Sequence, residues 1–263
     1  MLDAYFQRIN YAGPRQATVE TLDVIHLAHA STIPFENLEV LMGSTPRLDL
    51  EGIVAKLIEA RRGGYCFEHN TLLAAVLKQL GFKVTELGAR VRLSGKLLPR
   101  THMCLLVEVE GLSFLADAGF GAELLSPVPL RVGCETSQFG RRYRLIREAH
   151  LWVLQRLEPD PTDLYAFTLE PQHPVDFVMA NHFTATHPNS IFRNVLTVQR
   201  PHPEVRYHLH NHVFHVHQDG QTEARPVRDQ AEMGQLLEDF FGIRADSALL
   251  ALFERFKTTS QES

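Results

Sequence analysis

Residues 102–117 read His102-Met-Cys-Leu-Leu-Val-Glu-Val-Glu-Gly-Leu-Ser-Phe-Leu-Ala-Asp117. Two apolar, β-branched-rich runs flank Glu110-Gly111, a pair suited to a tight hairpin turn. If Val109 faces Leu112, paired positions sum to 221, and Asp117 falls opposite Cys104. His102 then shares a face with Cys104 and becomes the diagonal neighbour of Asp117. Diagonal pairs lie about 7–8 Å apart, within reach of long side chains. An imidazole and a carboxylate can therefore meet at the edge of an antiparallel sheet.

Working outward, segments 82–93, 141–147, 150–157 and 164–170 have the same β-rich texture, which predicts a barrel or curled sheet. Upstream the pattern is helical. Thr18, Leu22, Ile25 and Ala28 follow helical spacing, as do Ile53, Leu57 and Ile58. Cys66–Leu80 repeats it, with Gly81 as a stop. Downstream, 174–185 reads as helix, 191–200 and 205–217 as strands, and 229–240 and 246–257 as helices divided by Gly242. The order is α+β. Helices fill the first part of the chain, strands the middle, and the end is mixed.

Arg61-Arg-Gly-Gly-Tyr-Cys-Phe-Glu68 places a cysteine where a helix opens. There the unpaired N–H groups and the positive end of the macrodipole favour an anionic sulfur, the nucleophilic form. Taken alone, Cys66 reads equally as a small buried hydrophobe. A lone strand histidine is more often structural than a base, and a lone strand-end aspartate is more often a turn former. A helix-start cysteine together with a register-matched His–Asp pair fits nucleophile, base and orienting acid. Cys104 reads as a packing residue.

Composition is ordinary for a folded protein: 263 residues, 44% hydrophobic and 22% charged. A net charge of −5 gives no electrostatic reason to expect nucleic acid or an anionic membrane as partner. No apolar run approaches the roughly 18 residues of a membrane span. The start, MLDAYFQRINYAG, lacks a basic then apolar leader, so no secretory signal is expected. Three scattered cysteines make no disulfide framework and fit a reducing cytoplasm.

Arg62-Gly-Gly-Tyr-Cys66-Phe-Glu, then His102, then Asp117-Ala-Gly-Phe-Gly121 resembles the arylamine N-acetyltransferase family in order and spacing. Ile33-Pro-Phe-Glu-Asn-Leu-Glu39, Pro99-Arg-Thr-His102 and Thr186-His-Pro-Asn-Ser-Ile-Phe192 are similar to its other motifs. The likeness runs to enterobacterial members also called N-hydroxyarylamine O-acetyltransferases. It is dense over roughly residues 4–195 and thinner beyond. The resemblance implies a cysteine-protease-like core: an N-terminal helical bundle (1–81), a central antiparallel β-barrel (82–190) and a C-terminal α/β lid (191–263). It implies acetyl-CoA as co-substrate, no metal, and aromatic amines, hydrazines or N-hydroxyarylamines as acceptors. Cys66, His102 and Asp117 would be catalytic, Phe120 a substrate contact and Gly121 a point of CoA approach. Ala118 stands where many relatives carry Val, a loss of packing and of no catalytic group. Glu36 and Arg62 are expected to pair and hold the glycine turn, and the N–H groups of Cys66 and Met103 are candidates for an oxyanion site.

Two alternatives remain open on sequence. A thiol hydrolase or amidase would keep the same triad and use water as acceptor. His208, His210, His212, His215 and His217 suggest a metal-binding strand, with His208, His210 and His212 on one face.

Overall fold

A computed structural model describes residues 1–257; residues 258–263, assigned above to the lid, lie outside the described residues. The strands in chain order are β1 (Phe35–Glu36), β2 (Lys83–Val91), β3 (His102–Val109), β4 (Leu112–Ala116), β5 (Val128–Pro129), β6 (Glu135–Gln138) and β7 (Arg141–Glu148). They continue as β8 (Leu151–Arg156), β9 (Thr162–Pro171), β10 (Thr197–Pro201), β11 (Val205–His210), β12 (Val213–Gln218) and β13 (Gln221–Pro226). Eight of them form an antiparallel sheet in the order β5-β4-β3-β2-β9-β8-β7-β6, curled into a nearly closed barrel. The other five form a sheet in the order β1-β10-β11-β12-β13. The expected bundle, barrel and α/β lid are all present.

The β3–β4 hairpin has the register read from sequence. Val109 faces Leu112 and Leu105 faces Ala116, with Glu110 and Gly111 both at positive φ (52° and 75°). Positive φ at both turn positions matches the right-handed twist of the strands. β3 is buried on both faces, which explains why it reads as one apolar run. Met103, Leu105 and Val107 face the helices and join the core of Leu22, Ile25, Leu72 and Leu73. On the other face Cys104 joins Leu87, Leu145, Tyr165 and Phe167 inside the barrel. A third core holds the C-terminal sheet against helices Gln230–Phe241, Ser247–Leu250 and Leu252–Lys257.

Two strand expectations need correction. Ile191–Asn194 is one helical turn, and the strand begins only at Thr197. The turn is held there because Asn37 Nδ2 donates to the Phe192 and Val195 carbonyls (2.9 and 2.6 Å). Segment 205–217 is not one strand but the β11–β12 hairpin, reversed at Asn211, whose φ is 52°. Asparagine tolerates that left-handed conformation, and its Oδ1 accepts the Leu196 N–H (3.0 Å). The two-stranded pairing of β1, the short β5 and β6, and β13 carried no legible alternation.

The segment Ile33–Glu39 joins the N-terminal helices to the C-terminal sheet. Phe35 and Glu36 pair antiparallel with β10, and Phe35 also bridges Gly64. Asn37, 2% exposed, completes the junction, its Oδ1 accepting the Thr197 N–H (3.0 Å). Asn37→Ala leaves three backbone groups without their side-chain partner, the Thr197 N–H buried and the two carbonyls partly buried, each costing about 1–3 kcal/mol where water cannot reach. We expect a loss of about 2–4 kcal/mol in denaturant unfolding with an unchanged m-value. A loss below about 1 kcal/mol would mean that water satisfies the junction as well as Asn37 does.

Candidate active site

The helix Cys66–Gln79 presents its first residue to the site. Upstream, the helix that starts at Leu50 widens over Val54–Glu59 into a π-turn, and Arg61 then takes a positive φ of 53° to reverse the chain. Gly63 must be glycine: a Cβ there would sit 2.0 Å from the Pro34 carbonyl oxygen. The Tyr65 N–H donates to Glu68 Oε2 (3.0 Å), the carboxylate half of a capping box. Lys56 Nζ bridges Glu68 Oε1 and Glu39 Oε2 (2.7 and 2.5 Å). Arg62 donates twice to Glu36 Oε1 (3.1 and 2.7 Å), while Glu36 Oε2 accepts the Leu38 N–H (2.7 Å). The pairing of Glu36 with Arg62 is thus as read from sequence.

Cys66 is 3% exposed, and its Sγ lies 3.8 Å from the carbonyl oxygen of Thr101, the residue before His102. His102 Nε2 and Asp117 Oδ2 are 2.7 Å apart, with both side chains buried. That contact occupies Nε2 and leaves Nδ1 for the thiol. Burial alone disfavours the imidazolium, but Asp117 and, more weakly, Cys66 outweigh it and push the His102 pKa up to about 10. Burial likewise opposes the Asp117 carboxylate, yet His102 and the hydrogen bonds to it hold its pKa low. The structure therefore brings Cys66, His102 and Asp117 together. Cys104, fully buried in the barrel, has its pKa raised by burial and packs as expected.

Several residues that sequence reasoning passed over complete this centre. Asn70 Nδ2 donates to Asp117 Oδ1 (2.8 Å) and to the Met103 carbonyl (2.7 Å). Its Oδ1 accepts the Ala118 N–H (3.2 Å). Asn70 lies one helical turn beyond Cys66, so i,i+4 spacing was the signal that could have found it. The Gly119 N–H also donates to Asp117 Oδ1 (2.9 Å). From the helix Val19–Thr32, His26 Nε2 accepts the Asp117 N–H (3.1 Å), which requires a neutral ring; burial lowers its pKa accordingly. Only the fold could have supplied that contact.

Phe120 stands against the imidazole, ring centroids 4.8 Å apart, and Tyr165 closes the group at 4.7 Å from His102 and 4.9 Å from Phe120. Gly119 packs flush on the helix that Cys66 opens; a Cβ there would sit 2.7 Å from Cys66 Cα. Gly121, at φ 59°, abuts Gln199 of β10. The histidine strand is built differently from the expectation. His208 and His210 share a face of β11, but His212 lies in the turn beyond and its Nδ1 is 3.1 Å from the Phe256 carbonyl oxygen. His208 Nε2 is engaged with Thr197 Oγ1 (3.1 Å). Among the described residues, no group of three or more His, Cys, Asp or Glu side chains is arranged to hold a metal ion. No described helix is long and apolar enough to cross a membrane.

Comparison with known proteins places this geometry. The N-acetyltransferase family profile matches residues 18–250. An arylamine N-acetyltransferase of Escherichia coli (strain K12) is 40% identical over 256 residues, covering 94% of this chain and 90% of the relative. An arylamine N-acetyltransferase / N-hydroxyarylamine O-acetyltransferase of Salmonella typhimurium is 41% identical over 249 residues, covering 92% and 88%. The solved structure of Mycobacterium marinum arylamine N-acetyltransferase in complex with CoA superposes with a TM-score of 0.93 at 32% identity, covering 97% and 99%. The match extends well past residue 195, through most of the C-terminal sheet and helices. The chain belongs to the arylamine N-acetyltransferase family.

Proposed function

We propose that this enzyme moves an acetyl group from acetyl-CoA to arylamines, arylhydrazines or N-hydroxyarylamines through a thioester on Cys66. The observation that carries the reading is the buried His102–Asp117 pair beside a helix-start cysteine. With a pKa near 10 the imidazole holds a proton at neutral pH, and the thiol is its nearest source. The sulfur attacks the acetyl carbonyl, and the imidazolium returns its proton to the departing CoA sulfur. The neutral imidazole then accepts a proton from the amine as nitrogen attacks the thioester, and Cys66 leaves as thiolate. Asp117 holds the ring and offsets its charge throughout. The N–H groups of Cys66 and Met103 are the candidate oxyanion donors, each worth about 2.7–4 kcal/mol if correctly aimed.

Phe120, in ring contact with His102, is the surface an aromatic acceptor would meet. That ring favours an arylamine over water and weighs against the hydrolase alternative. Gly121 offers a backbone without a side chain to the CoA arm. In this division of labour, 1–81 supplies the nucleophile, 82–190 the base and orienting acid, and 191–263 the cover. The three free thiols fit a cytoplasmic setting.

Incubation with acetyl-CoA alone, followed by intact-mass measurement, should add one acetyl group, mapped to Cys66. Cys66→Ser should stay unmodified and lose transfer. Acetylation at Cys104 or Cys134, or equal acetyl-CoA turnover with and without an arylamine, would overturn the reading.

Asp117→Asn removes the largest group holding the proton on His102. By analogy with the Ser-His-Asp case, kcat should fall by about 10³–10⁴, and iodoacetamide labelling of Cys66 at pH 7 should slow. The same pair predicts a stability profile. The folded pKa of His102 lies above its ordinary value of about 6.5, so its stabilisation is whole below that pH and is lost as pH rises through about 10. Asp117 acts at the other edge, its contribution fading below about pH 3.9. The wild-type melting temperature should fall between about pH 6.5 and 10, and Asp117→Asn should lose most of that step. Identical profiles for the two proteins would contradict the assignment.

A further inference from the structure

The loop that follows the orienting acid is gripped from the far side by elements outside the triad. Its fixed point is the Ala122 residue. The Ala122 N–H donates to Gln199 Oε1 on β10 (2.8 Å), and the Ala122 carbonyl accepts from Arg206 Nε on β11 and Arg141 Nη1 on β7 (both 3.1 Å). Gly121 makes room for this grip, since a Cβ there would lie 2.6 Å from Gln199 Oε1. Gln199 is fixed in turn: its Nε2 donates to Thr197 Oγ1 (3.0 Å), which engages His208. Arg206 is 6% exposed and also donates through Nη1 to the Phe139 carbonyl (3.3 Å).

Phe120 thus sits on a short span pinned at both ends. On one side Gly119 is flush with Cys66 and donates to Asp117; on the other Ala122 is held through its N–H and its carbonyl. With both ends fixed, the backbone that carries the Phe120 ring is held beside His102. We propose that Gln199 and Arg206 are positioning residues that set acceptor selectivity by holding the Phe120 loop, so that the C-terminal sheet tunes which amine the acetyl-enzyme accepts. This rests on the reading of Phe120 as the acceptor contact. The grip reaches Gly121, where the CoA arm would pass, but touches neither Cys66 nor His102, so single-turnover acylation of the sulfur at saturating acetyl-CoA should be independent of it. An aromatic acceptor needs the ring in place, whereas a small acceptor such as hydrazine does not.

The test separates the two half-reactions in the full-length protein. Gln199→Met keeps the length of the side chain and removes the acceptor for the Ala122 N–H. Single-turnover acylation at saturating acetyl-CoA, followed by intact mass, should be unchanged. The KM for p-anisidine should rise about tenfold, while transfer to hydrazine stays within about twofold. Gln199→Glu retains an oxygen for that N–H and should recover most of the aromatic selectivity. Arg206→Lys, which cannot keep both carbonyl contacts, carries the same prediction should Gln199→Met fail to fold. Phe120→Leu should reproduce the loss of selectivity. If Phe120→Leu separates the acceptors and the Gln199 and Arg206 variants do not, or if these slow acylation and both acceptors alike, the grip is structural and the inference falls. If Phe120→Leu leaves the p-anisidine to hydrazine ratio unchanged, the acceptor reading of Phe120 fails and takes the inference with it.

Discussion

The contact on which the rest of the structure depends is the buried pair His102–Asp117. Taking two ions out of water costs several kcal/mol each, and the pair survives only where the remaining lone pairs and protons are met. The fold meets them from four places. His102 comes from β3, Asn70 from the helix that Cys66 opens, the Gly119 N–H from the loop beyond, and His26 caps the Asp117 amide from an earlier helix. Satisfying one carboxylate therefore locks the helical unit to the barrel edge. The same contacts order the imidazole and dock the two units.

A second charged centre, Glu36, Arg62, Lys56, Glu68 and Glu39, does for Cys66 what Asn70 does for Asp117. Lys56 reaches Glu68 from the widened turn Val54–Glu59, and Glu68 reaches back to cap the helix that Cys66 opens. Arg62 and Glu36 meanwhile tie the glycine turn to the strand that joins the C-terminal sheet. Partly buried ion networks are poor sources of net stability, so their value here is registry. They fix where a helix begins, and with it the position of the first-turn sulfur.

What sequence could carry follows from these distances. The hairpin was legible because a two-residue turn at Glu110-Gly111 fixes register over the whole strand pair, and register alone makes His102 and Asp117 neighbours. The helix start was legible from glycines followed by an apolar 3.6-residue period. Asn70 was legible in principle and missed, because an asparagine inside a helix carries no apolar periodicity. The role of His26 and the grip of Gln199 on Ala122 were not legible. They join residues 91 and 77 positions apart through packing that no local pattern encodes. The β11–β12 turn was lost because Asn211-His212 lacks the glycine that usually marks a hairpin.

The His102–Asp117 pair and the Phe120 ring are consequently hard to separate in this fold. Asp117, Gly119 and Phe120 occupy four consecutive positions with Ala118, and each faces a different requirement: the imidazole, the backbone of the helix that Cys66 opens, and the aromatic contact over the ring. A side chain at 119 would push the loop off Cys66, and any shift there would move both the carboxylate before it and the ring after it. Asp117 cannot be relocated without moving the Phe120 ring. The freedom left for variation therefore lies at Phe120 itself and beyond it, where the loop leaves Asp117 and meets the C-terminal sheet.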